Sequence, residues 1–108
     1  MQNGLYKVEF QTPLGAGAGV VFLHDGKIRG GDSAMFYVGK VSEEGDNLTA
    51  EVEGRLHTNV PPTELVFGVN HTHISLKGKG SGNVATLTGS AKEAPGVAFQ
   101  AKLTKISD

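Results

Sequence analysis

The chain has 108 residues, the length of a single domain (1–108), enough to bury one core. It contains no cysteine, which excludes a disulfide framework, thiol catalysis and cysteine-bound zinc or iron–sulfur centres. Ten Lys and Arg face eleven Asp and Glu, a formal charge of −1 that argues against a general nucleic-acid or anionic-membrane binder. Sixteen glycines, about twice the usual share, point to turns and bent strands rather than helices. No apolar run approaches the ~20 residues of a membrane helix. The opening MQNGLYKVEF lacks the basic and apolar regions of a secretory leader, so the expected location is cytoplasmic.

Period-two alternation dominates the pattern. Tyr6, Val8 and Phe10 alternate with Lys7, Glu9 and Gln11, predicting a half-buried first strand. Gly19–His24 and Met35–Ser42 are strand-like. Leu48, Ala50, Val52, Gly54 and Leu56 then alternate with Thr49, Glu51, Glu53, Arg55 and His57. Leu65–Val69, Thr72–Lys77 and Val84–Ser90 follow, and Val97, Phe99, Ala101 and Leu103 mark the last strand. Pro13 to Gly15, Asp25-Gly26, Glu44 to Asn47, Pro61-Pro62, Gly80 to Asn83 and Pro95-Gly96 supply turn chemistry between them. At most a single short helical turn is expected. Eight short strands with short links have three solutions: a closed up-and-down barrel, a sandwich, or an open sheet paired with another chain. Sequential hairpins favour the all-β, eight-stranded antiparallel barrel, and closure also removes exposed edges. Gly17, Gly19, Gly39, Gly54 and Gly89 stand where a small barrel needs bends.

Candidate sites are few. Gly15-Ala-Gly17-Ala-Gly19 lacks the third glycine and the following helix of a dinucleotide fingerprint, and reads as a bent strand. Gly31-Asp32-Ser33 resembles the opening of a serine-nucleophile motif, but alanine follows and no base or oxyanion hole is specified. An enzyme is therefore not expected. Glu43, Glu44 and Asp46 put three acids within four residues at a predicted turn, a solvated hairpin tip or a protein-docking patch. His71 and His73 share a strand face and form a candidate metal pair that His57 or His24 could complete. With no carboxylate at local ligand spacing, they read first as polar, solvent-facing side chains, and no cofactor is expected. Residues 1–64 carry nine acids and five bases, residues 65–108 two acids and five bases, an asymmetry suited to docking on a partner or a second copy. Clustered arginine with interleaved aromatics is missing, so direct nucleic-acid binding is not expected. Ala50, Gly54, Gly39 and Ala101 are small inward residues that would leave a cavity for a small apolar ligand, the alternative function.

The string from residue 3 to 44 carries a resemblance. Asn3-Gly4-Leu5-Tyr6, a Gly-x-Gly before an apolar strand, Asp25-Gly26, Gly30-Gly31-Asp32, Tyr37-x-Gly39 and Ser42-Glu43 follow in order. In order and spacing they resemble the family of the LEE-locus negative regulator, the global regulator of LEE repressor associated with type III secretion. The match fades after about residue 56. The resemblance implies a lipocalin-like barrel that forms a homodimer and binds a transcriptional activator, holding it inactive without catalysis. It further implies that an exposed acidic tetrad makes that contact; the corresponding positions here are Glu43, Glu44, Gly45 and Asp46. Read from the residues alone, Gly30, Gly31 and Asp32 form a conformationally demanding turn. Tyr37 is expected at a core edge, its ring buried and its hydroxyl partnered.

Overall fold

Alternation along the chain becomes eight strands: β1 (Gly4–Thr12), β2 (Gly15–His24), β3 (Lys27–Gly31), β4 (Met35–Glu44), β5 (Asn47–Leu56), β6 (His71–Ser81), β7 (Val84–Ala91) and β8 (Ala94–Ser107). The computed structural model describes residues 1–108. Every strand pairs antiparallel with the next, and β8 returns to β1, Gln100 opposite Gln11, to close an up-and-down barrel. One 3-10 turn, Pro62–Glu64, is the only helical element, and no helix is long and apolar enough to cross a membrane.

Alternation also decides the two faces. Tyr6, Phe10, Val21, Leu23, Ile28, Leu48, Ala50, Ile74, Leu76, Ala85, Leu87, Phe99, Ala101 and Leu103 point inward as one buried cluster, and their polar neighbours point to water. Each fully buried Leu or Phe contributes about 1.5–3 kcal/mol relative to exposure, so this cluster is the main source of stability. Tyr6 is fully buried and its hydroxyl donates to the Gln2 carbonyl at 2.6 Å, so no polar atom is stranded.

Connections alternate between the ends of the barrel. One end carries three two-residue turns: Asp25-Gly26, Gly45-Asp46 and Gly82-Asn83. Asp25 and Gly26 both have positive φ, 51° and 79°, the turn whose twist matches that of the strands. Asn3 holds this turn, accepting from the Asp25 backbone N–H at 2.9 Å and donating to its carboxylate at 3.2 Å. The other end carries the β1–β2, β3–β4 and β7–β8 links and the segment from residue 57 to 70 between β5 and β6.

Three sequence expectations are corrected. Leu65–Val69 is not a strand; it belongs to the 57–70 segment, with Leu65 and Phe67 buried against the barrel end. An apolar run bounded by turn residues satisfies a strand pattern, but here it packs as a cover. Lys27–Gly31, which has one buried apolar residue, is a strand: Gly30 and Gly31 pass so close to their neighbours that a Cβ would lie 2.1 Å from the Val20 carbonyl and 2.6 Å from the Met35 carbonyl. Pro95-Gly96 is not the last hairpin turn, which is Lys92-Glu93. Instead it lies within β8, where the register shifts between Gly89 and Ala91; a bulge accommodates a residue with no N–H to donate. The expected number of strands was reached through two of these errors cancelling.

Candidate functional site

Three places carry candidate functional side chains: the barrel interior, the β4–β5 tip and the outer wall of β5 and β6.

The interior is not filled. A cavity of about 260 Å³ runs under the 57–70 segment, and 24 of its 29 lining residues are hydrophobic. Val8, Tyr37, Val41 and Val52 point inward yet are only half-buried, because they face this space. Of the small residues expected to open it, Ala50 and Ala101 line it. Gly39 and Gly54 do not, since each stands against a neighbouring strand, the Glu51 carbonyl and the Thr72 hydroxyl respectively. One aromatic row crosses the covered end: Phe67 stacks on Phe99 at 5.1 Å, Phe99 on Phe10 at 6.2 Å, and Phe10 meets Tyr37 edge-on at 6.2 Å. The cover is tied down by Thr12, whose hydroxyl donates to the Val66 carbonyl and accepts from the Leu14 N–H at 3.1 Å.

Asp32 organises the rim of the same end. Its carboxylate accepts from the Ala34 and Met35 N–H groups at 2.9 and 2.7 Å and from the Tyr37 hydroxyl. Its carbonyl meets His57 Nε2 at 2.8 Å, and the His57 N–H donates to Ala34, joining the β3–β4 turn to the covering segment. The expected Gly30-Gly31-Asp32 turn is corrected: Gly30 and Gly31 are paired residues of β3 without positive φ, the turn begins at Asp32, and Tyr37 reaches back to it from β4. Burial, reinforced by the bond and the charge of Asp32, raises the Tyr37 phenol far above its usual range, so this cavity group remains a hydrogen-bond donor. Ser33 is exposed beside this turn, and the ring nitrogens of His57 are engaged by Thr58 and Asp32 rather than by Ser33.

At the opposite end Glu43, Glu44 and Asp46 are exposed around the β4–β5 turn. Glu43 pairs with the Met1 amino group; Glu44 and Asp46 have no ion partner. Gly45, at φ 66° in the first turn position, sets a tight two-residue hairpin that places the acids at its tip.

His71 and His73 lie on the outer face of β6, as their spacing predicts. Neither His57 nor His24 joins them: His57 sits at the Asp32 turn, and His24 lies at the end of β2 beside Asp25. No carboxylate stands at local spacing, but two arrive from elsewhere in the chain, Glu53 from β5 and Glu93 from the β7–β8 turn. Antiparallel register sets Glu53 of β5 opposite His73, and Glu53 Oε2 lies 2.7 Å from His71 Nε2, 3.3 Å from His73 Nε2 and 3.1 Å from Arg55 Nη2. Glu93, in the β7–β8 turn, meets His73 Nδ1 at 2.5 Å and accepts from the His73 backbone N–H at 2.7 Å. The His71 and Arg55 bonds lower the Glu53 carboxyl, and the two His73 bonds lower that of Glu93 to about 2.

No protein-family model matches this chain, and a search of the curated proteins finds no match either.

Proposed function

We propose that the protein is a non-enzymatic negative regulator that binds and restrains a protein partner through the acidic β4–β5 tip. The observation that carries this reading is the tip itself: two unpaired acids and a third whose only partner is the Met1 amino group, on a tight turn at the end of the barrel that carries the two-residue hairpins. Such a tip steers a basic surface toward itself and sets its register, while neighbouring apolar contacts supply affinity. The resemblance at residues 3–44 supports a transcriptional activator linked to type III secretion as the partner, and hence a cytoplasmic site of action. Self-association as a homodimer is assigned to the outer face of β2–β4, where Val20, Phe22 and Phe36 are 45%, 45% and 39% exposed and Gly31 lies between Val20 and Phe36 in register.

The test is an affinity pull-down from native lysate with wild type and a Glu43→Ala/Glu44→Ala/Asp46→Ala variant, at low and high salt. A transcription regulator retained by wild type alone, and released by salt, is the expected result. Equal retention by both proteins would remove the tip from the interface.

The cavity favours a second reading, a carrier or sensor for a small apolar ligand. At about 260 Å³ it lies just below the range of drug-sized sites and suits a short acyl chain or a single ring system. Native mass spectrometry of protein from its own host should then show an added mass that denaturation removes. A single unliganded mass would count against the carrier.

A further inference from the structure

His73 holds a hydrogen-bonding conflict. Glu93 is a carboxylate and accepts, so the proton on the His73 ring belongs on Nδ1, 2.5 Å from Glu93 Oε2. In a neutral ring Nε2 is then a bare lone pair, and it faces Glu53 Oε2, another acceptor, at 3.3 Å. Two acceptors facing each other at that distance could both ligate one cation. His71 Nε2 reaches the same oxygen at 2.7 Å, and its ring lies 4.7 Å from that of His73. One nitrogen from each ring and a Glu53 oxygen all lie within 4.8 Å of one another.

We propose that Glu53, His71 and His73 bind a divalent transition-metal ion, of which Zn²⁺ is the representative. Donors bound to such an ion at 2.0–2.2 Å stand about 3.4 Å apart in a tetrahedron, so the side chains need move by only about an ångström. They are free to do so: the histidine side chains are 42% and 49% exposed and Glu53 is 35% exposed. A single proton satisfies one His–Glu contact, whereas a metal ion engages all three donors. Two imidazoles and one carboxylate select a borderline ion over Mg²⁺ or Ca²⁺, which prefer all-oxygen shells. Glu93 is the positioning residue, holding the His73 ring by Nδ1 and its backbone N–H so that Nε2 points at the site. Arg55 opposes binding and must give up its bond to the coordinating oxygen. Three protein ligands leave the outward position to water or to a donor from a bound partner.

The experiment is isothermal titration of the whole chain with ZnCl₂, with equilibrium dialysis to fix stoichiometry and MgCl₂ as the control ion. One Zn²⁺ per chain is expected, with no saturable Mg²⁺ signal. His71→Ala/His73→Ala should abolish binding, and Glu93→Gln should weaken it about 10- to 100-fold. His24→Ala and His57→Ala should bind as wild type. These side chains are half-buried or exposed, so the variants are expected to fold, which thermal melts of each should show. Absence of saturable Zn²⁺ binding in wild type would overturn the site. Unchanged Zn²⁺ binding in the double-histidine variant would overturn it equally.

Discussion

The two ends of the barrel are built on different principles. At the turn end, three two-residue hairpins close with local chemistry, glycines at positive φ and a side-chain clamp from Asn3. At the covered end, the 57–70 segment has almost no regular structure and is held by burial of Leu65 and Phe67, by Thr12, and by the Asp32 turn. Local turn chemistry leaves the acidic tip exposed; a packed cover instead leaves an apolar space beneath it. The same barrel can therefore present a surface at one end and shelter a ligand at the other.

The largest expected effect is at the cover. Phe67→Ala removes the outer member of the aromatic row and should cost about 3–5 kcal/mol in denaturant unfolding. A loss below about 1 kcal/mol would show that the segment is not packed as a cover. Next is Asp32→Ala, which leaves two N–H groups and the Tyr37 hydroxyl without their acceptor and should cost about 2–3 kcal/mol.

The Asp32–Tyr37 pair also predicts a pH dependence. The folded phenol lies above its ordinary value of 10.0, so its stabilising contribution is complete below that pH. It is lost as pH rises past 10, because the unfolded chain then ionises and the folded one does not. Melting temperatures measured from pH 8 to 11 should fall more steeply for wild type than for Tyr37→Phe, and parallel curves would contradict this.

Effects at the turn end are smaller. Gly45→Ala has open space for its methyl but a φ of 66°, so strain alone should cost about 1–2 kcal/mol. The triple alanine variant of Glu43, Glu44 and Asp46 should change stability by less than about 0.5 kcal/mol while weakening partner binding. That separation of stability from binding sharpens the contrast, since no substitution at the cover achieves it.

Much of the fold was legible because its signals are local. β1, β5 and β8 announce themselves by alternation, and Asp25-Gly26 by turn chemistry. β3 was not legible: it has one inward apolar residue and two glycines, and its place depends on how closely β2 and β4 approach. Leu65–Val69 carries a strand's composition and becomes a cover because residues 57–61 and the Pro62–Glu64 turn direct it across the barrel mouth.

The candidate sites divide in the same way. The acidic tip is contiguous in sequence, so its members could be named from the string alone. Glu53 and His73 meet through the register of β5 on β6, and a tight hairpin would have specified that register. The link between these strands is instead the 57–70 segment, from which no register follows, and Glu93 arrives from a turn two strands further along the chain. Sequence by itself determined which side chains of β1, β5 and β8 face inward and where most of the short turns fall, and it favoured a barrel, because periodicity and backbone preference act over a few residues. Only the tertiary structure decided that the interior stays open, what covers it, and which carboxylates surround the two histidines. Those outcomes depend on barrel closure and cross-strand register, which bring together residues far apart in the chain.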